Sequence, residues 1–221
     1  MSDIAKMIDH TLLKANATDQ QIRQLCSEAV EYGFASVCIN PGYVPLAVSL
    51  LRDTEVKVCT VIGFPLGSNT TGTKLFEADN AVQSGAVELD YVLNVSDVLD
   101  GRLHKVKQEM EEFVWMKSGS NPPLVIKVIL ETCYLSDEQI VRVCELAKTT
   151  GLDFIKTSTG FGPAGASVEH VRLMRNTVGP LLGVKASGGI RTHEDAASMI
   201  EAGATRIGTS AGVEIVKSVR G

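Results

Sequence analysis

A chain of 221 residues with 44% apolar side chains can bury a substantial core, and a single α/β barrel routinely uses this length. A net charge of −5 argues against nucleic acid or an anionic membrane as partner, though not against a small anion held by local dipoles. No run approaches a membrane span, and residues 1–7 lack the apolar core and cleavage pattern of a secretory signal, so a cytoplasmic protein is expected.

Short β-rich runs alternate with amphipathic, cap-flanked stretches along the chain. The first strand is expected over residues 6–10, followed by a helix over 19–32 with Thr18 as N-cap, Gln21 at N3 and Gly33 as stop. A strand over 34–39 precedes a helix over 41–52. A strand over 56–62 precedes a long loop and a helix over 74–84. The fourth strand is placed at 87–93, with one long helix over 97–117.

Pro122 and Pro123 introduce a fifth strand over 124–130, and Ser136 and Gln139 open a helix that ends before Gly151. The sixth strand, 153–156, leads to a helix over 167–176. The seventh, 181–185, leads to a helix capped by Thr192 that ends at Gly203. The eighth, 205–208, leads to a last helix over 211–219. Eight strand–helix units without a linker imply a closed (β/α)8 barrel, one domain over 1–221. A doubly wound open sheet is the rival, weakened by the absence of a G-x-G-x-x-G run after the first strand.

Side chains alternate faces along a strand, so parity sorts the ionisable groups. Lys156 groups with Phe154 and Ser158, and Lys185 with Gly183 and Ser187. Asp90 groups with Glu88, Val92 and Asn94, while Lys127 stands opposite Ile126 and Val128. Asp9 groups with Met7 and Thr11. The convergent set at the barrel mouth is therefore Lys127, Lys156, Lys185, Asp9 and Asp90. Internal salt bridges that merely neutralise a barrel core would explain any single Lys–Asp pair. Five such residues from neighbouring strands point instead to a functional cluster. Lys156 and Lys185 occupy matching places in successive units, and one ammonium disfavours the charged form of another, which is how an amine becomes a nucleophile.

The glycine-rich turns Gly160 to Gly162, Ser187 to Gly189 and Gly208 to Ser210 follow the last three strands. Exposed N–H groups there suit a phosphate, so a phosphorylated small molecule is the expected substrate. Cys26, Cys38, Cys59, Cys133 and Cys144 form no C-x-x-C pair and read as free thiols, and the dispersed His10, His104, His170 and His193 offer no ligand spacing. No metal and no cofactor is expected. The sequence is compatible with a homo-oligomer without specifying one. A Schiff-base aldolase or transaldolase, or a phosphosugar isomerase using a carboxylate base, would each fit much of this pattern.

The runs Ile8–Leu13, Val61–Gly67, Glu88–Asp90, Lys127–Thr132, Phe154–Phe161 and Val184–Arg191 together resemble the deoxyribose-phosphate aldolases. Lys-Thr-Ser-Thr-Gly from Lys156 and Lys-Ala-Ser-Gly-Gly-Ile-Arg from Lys185 are the most specific. The resemblance implies a metal-free, Schiff-base cleavage of 2-deoxy-D-ribose 5-phosphate to acetaldehyde and D-glyceraldehyde 3-phosphate. By position it implies Lys156 as the Schiff-base lysine, Lys185 as the second lysine, Asp90 as acid/base and Asp9 as support for Lys185. It implies substrate contacts at Cys38, Lys127, Thr157, Gly160, Gly188, Gly189, Gly208 and Ser210. Two departures stand out. Phe161 occupies a place where some members carry a basic residue, shifting phosphate binding toward backbone dipoles. The sequence ends Val219-Arg220-Gly221, without the tyrosine-bearing tail of some members.

Overall fold

The computed structural model describes residues 4–220. The strands are β1 (Ile8–Leu12), β2 (Ser36–Ile39), β3 (Lys57–Ile62), β4 (Glu88–Val92), β5 (Val125–Ile129), β6 (Phe154–Lys156), β7 (Gly183–Ser187) and β8 (Arg206–Thr209). They pair in parallel, in chain order, and β8 returns to β1 to close the barrel. The helices are α1 (Asp19–Tyr32), α2 (Val44–Leu51), α3 (Thr71–Gln83), α4 (Val95–Leu99), α5 (Leu103–Lys117), α6 (Asp137–Thr150), α7 (Val168–Val178), α8 (His193–Glu201) and α9 (Gly212–Arg220). This is the (β/α)8 architecture expected from the alternation.

The local signals act as physics requires. Thr18 and Gln21 form a reciprocal capping box at α1, and Gly33 stops that helix in the left-handed conformation at φ 68°. Ser136 with Gln139 and Thr192 with Asp195 make the same box at α6 and α8. In α1 the buried residues Ile22, Leu25, Cys26 and Ala29 follow helical spacing and face the sheet. The apolar core is a ring between barrel and helices, in which Tyr91 of β4 stacks on Phe113 of α5 at 3.9 Å between ring centroids.

Three expectations need correction. The long helix over 97–117 is two helices, broken at Asp100, Gly101 and Arg102. Gly101 takes φ 71°, and Arg102 folds back to bond Asp97 (Nε to Oδ1, 2.5 Å) and Asp100. β1 begins at Ile8, because Ile4–Met7 form a 3-10 turn. β7 runs from Gly183, since Leu181 is 97% exposed before the strand begins. Asp9 and Lys185 consequently lie inside their strands, and Lys185 is in register with both Lys156 and Arg206.

Candidate active site

Every strand contributes a polar or thiol side chain to one layer of the barrel interior: Asp9, Cys38, Cys59, Glu88 with Asp90, Lys127, Lys156, Lys185 and Arg206. The register that aligns Asp90 with Lys127, and Lys156 with Lys185, brings these side chains together. Asp90 is fully buried at the centre. Its Oδ2 accepts from Lys156 Nζ at 2.8 Å and from Lys185 Nζ at 2.7 Å, while Oδ1 accepts from Lys127 Nζ at 2.9 Å and the Cys59 thiol at 3.2 Å. Lys185 also pairs with Asp9 Oδ2. Asp9 Oδ1 accepts from Ser36 Oγ at 2.7 Å and Arg206 Nη1 at 2.6 Å. Lys127 reaches Glu88 Oε2 at 2.5 Å, and Arg206 Nη1 stands 3.3 Å from the same oxygen.

Burial and charge oppose each other here, and charge wins. Burial alone would raise the Asp90 carboxyl, but Lys127, Lys156 and Lys185 hold it well below the usual carboxylate range. Burial likewise opposes ionisation of Asp9, whose pKa is nevertheless lowered by Lys185 and Arg206. Desolvation disfavours the Lys185 ammonium, yet Asp9 and Asp90 raise its pKa above the ordinary value. Lys127 is raised for the same reason by Asp90 and Glu88. The Cys59 thiol is pushed well up by burial, then by Cys38 and Asp90. A buried lysine is not by itself a site: Lys74, also fully buried, pairs with Glu109 at 2.9 Å and Val92 O at 2.8 Å between the helices and the barrel wall.

Above this layer opens a cavity of about 360 Å³ at the C-terminal ends of the strands, where sites of this fold lie. Lys156 lines it, together with Gly160, Gly188, Gly189, Gly208 and Ser210 from the three glycine-rich turns. Gly165 and Gly188 touch backbone to backbone: a Cβ on Gly165 would stand 2.1 Å from the Gly188 carbonyl oxygen. Cys38, Lys127 and Thr157, expected at the substrate, lie away from the cavity wall. Cys38 sits with Leu13, Cys59 and Val61 in a small apolar cluster. Lys127 is sealed in the charged layer. Thr157 has the opposite parity to Lys156, and its hydroxyl accepts from Ser187 N at 3.1 Å and donates to Ser187 O at 3.2 Å, tying β6 to β7.

Sequence reasoning missed several residues. Arg206 shares the parity of Gly208 and Ser210, so the alternation applied to the other strands would have found it. Glu88 was placed on the inward face but left out of the convergent set. Thr11, which parity groups with Asp9, also lines the cavity, as do Lys14 and Arg191, which were not singled out as site residues. Glu131 had no sequence signal: at φ 52° it is the one non-glycine residue with positive φ among those described. Its buried carboxylate accepts from Thr159 N at 3.2 Å and from the Thr159 hydroxyl, which in turn accepts from Phe161 N at 3.1 Å. Glu131 thus fixes the loop that carries Gly160 and Phe161. Phe161, in place of a basic residue, lies edge-on to Phe64 with centroids 5.3 Å apart.

Two groups have the residue types of a metal site, Cys38–Cys59–Asp90 and Asp9–Cys59–Glu88, each with ligand atoms within 4.8 Å of one another. Each carboxylate already accepts from lysine or arginine, so a metal ion would have to displace a bonded cation. No helix among the described residues is long and apolar enough to cross a membrane.

The DeoC/LacD family aldolase model matches residues 4–218. A deoxyribose-phosphate aldolase of Caldanaerobacter subterraneus subsp. tengcongensis is 61% identical over 217 residues, covering 98% of this chain and 94% of its own. One of Thermoanaerobacter sp. is 64% identical over 215 residues, covering 97% and 96%. The solved tetrameric deoxyribose phosphate aldolase of Aeropyrum pernix superimposes with a TM-score of 0.89 at 37% identity, over 98% of this chain and 91% of that one.

Proposed function

The chain belongs to the DeoC/LacD family of aldolases, and from that premise we propose that Lys156 is its Schiff-base nucleophile. The reaction is the reversible cleavage of 2-deoxy-D-ribose 5-phosphate to acetaldehyde and D-glyceraldehyde 3-phosphate. One observation supports the assignment of Lys156 above the others. Of the three lysines bonded to Asp90, it is the one that lines the cavity.

The open-chain sugar presents its aldehyde carbon, C1, to the Lys156 amine, and loss of water leaves an iminium. That cation accepts the electrons of the C2–C3 bond as the C3 hydroxyl gives up its proton. Glyceraldehyde 3-phosphate departs and a two-carbon enamine remains. Protonation at C2 and hydrolysis release acetaldehyde and the free amine. Asp90 Oδ2, bonded to the amines of both Lys156 and Lys185, is the carboxylate that carries protons through this sequence. Lys185, held between Asp9 and Asp90, fixes that carboxylate and stands as the neighbouring proton donor.

The phosphate is assigned to the backbone of Gly160, Gly188, Gly189, Gly208 and Ser210, with Lys14 and Arg191 as cations on the same cavity wall. The chain, residues 1–221, is read as one catalytic domain acting on a phosphosugar. Assembly as a homo-oligomer is carried over from the tetrameric Aeropyrum pernix relative. The test is Lys156→Ala: the variant is expected to fold and to lose cleavage by several orders of magnitude. A variant retaining wild-type cleavage would reject the assignment.

A further inference from the structure

The charged layer holds more than the reaction uses. Asp9, Glu88 and Asp90 are bonded to Arg206, Lys127 and Lys185 in an unbroken circuit. Arg206 touches Asp9 and Glu88, Asp9 touches Lys185, Lys185 touches Asp90, Asp90 touches Lys127, and Lys127 touches Glu88. Three carboxylates face three cations. Lys156, bonded only to Asp90 among these groups, is the cation left over. The three carboxylates and three cations of the circuit cancel, and Lys156 stands outside that balance.

Arg206 does not line the cavity. It begins β8 at the N-terminal end of the barrel, with its side chain 16% exposed. Its guanidinium lies 5.4 Å from the Phe154 ring centroid, and Phe154 packs so closely on Gly183 that a Cβ there would stand 2.2 Å from the ring. Arg206, Phe154 and Gly183 thus pack together at the barrel floor. A guanidinium does not deprotonate in this range, so Arg206 contributes a fixed charge. Burial opposes that charge, but Asp9 and Glu88 outweigh it and raise the pKa further.

We propose that Arg206 and Glu88 are positioning residues that set, from the floor of the barrel, the charge balance around Asp90 and Lys156. Neither touches the cavity wall. Arg206 acts through Asp9 and Lys185, and Glu88 acts through Lys127 and Asp90. The groups facing the layer from the strands are Asp9, Cys38, Cys59, Glu88, Asp90, Lys127, Lys185 and Arg206; burial pushes the Cys59 thiol up, while its hydrogen bond to Cys38 lowers the Cys38 thiol. Lys14, Arg191 and Glu131 stand at the mouth on the loop side.

This inference rests on Lys156 as the nucleophile and is read from the pH dependence of its adduct. Wild type, Arg206→Met, Arg206→Lys, Glu88→Gln and the double variant Arg206→Met/Glu88→Gln are incubated with acetaldehyde and cyanoborohydride across pH. The adduct is mapped by mass, and folding is checked by circular dichroism and melting. Losing the Arg206 charge favours the ammonium, so the midpoint of trapping moves to higher pH. Losing the Glu88 charge moves it to lower pH. Each shift is about one pH unit, the scale for unit charges roughly 10 Å apart at an effective dielectric of about 20.

The double variant restores the balance and returns the midpoint to the wild-type value, and Arg206→Lys stays near it. A merely structural role would make the double variant worse than either single one and leave the midpoints in place. Unmoved midpoints, or both single variants shifting the same way, overturn the proposal. Glu88→Gln carries the test by itself should Arg206→Met not fold. An adduct mapped away from Lys156 in the wild type would instead reject the nucleophile assignment.

Discussion

Asp90→Asn keeps the shape of the central side chain and removes its charge. Asp90 is fully buried and accepts from Lys127, Lys156 and Lys185 at 2.9, 2.8 and 2.7 Å. Removing one partner of a buried ion pair costs about 3–5 kcal/mol, because the remaining charge stays desolvated. For a chain of this length that is a melting point lower by roughly 6–20 °C. Loss of a positioned acid–base group costs a further ~10²–10⁴ in rate. The sign of the pH effect follows from the lowered pKa values of Asp9 and Asp90. Their contribution to stability is complete above the unfolded value near ~3.9 and is lost as pH falls through the depressed folded values. The asparagine variant lacks the Asp90 share, so its stability curve is flatter on the acid side. Urea unfolding at several pH values and a coupled assay for glyceraldehyde 3-phosphate measure both effects. Cleavage within about tenfold of wild type, in a variant that melts like wild type, would refute the reasoning.

Two further outcomes follow. Glu131→Ala leaves the strained backbone in place but removes the acceptor that holds Thr159, so the loop bearing Gly160 and Phe161 loosens. The expected result is a KM several-fold higher with a smaller change in kcat, measured by steady-state kinetics; an unchanged KM would show that the loop is held by other contacts. Prolonged EDTA treatment is expected to leave cleavage unchanged, since the iminium supplies the electron sink and the candidate ligand groups are bonded to lysine and arginine. Activity lost in EDTA and restored by zinc would contradict this.

The barrel was legible because its evidence is periodic: capping boxes at Thr18 and Ser136, stops at Gly33 and Gly151, and strand parity that grouped Asp9, Asp90, Lys156 and Lys185 inward. What was hidden depends on three-dimensional context. The break at Gly101 is fixed by Arg102 folding back onto Asp97 and Asp100, a local bonding choice that helical periodicity does not register. Thr157 lies next to Lys156 in a specific motif, yet parity sends its hydroxyl to the Ser187 backbone. Arg206 shares the inward parity of Gly208, but parity alone does not say which carboxylates it meets. Closure of β8 onto β1 carries it to Asp9. Glu131 depends on a left-handed backbone that no glycine advertised.

The central claim is that one lysine, Lys156, forms the covalent intermediate. Incubation of the wild-type protein with 2-deoxy-D-ribose 5-phosphate and borohydride, followed by proteolysis and mass mapping, tests it directly. The expected result is a stable two-carbon or five-carbon adduct on Lys156 alone, absent in Lys156→Ala. An adduct on Lys185 or Lys127, or full cleavage activity with no adduct on any lysine, would contradict it.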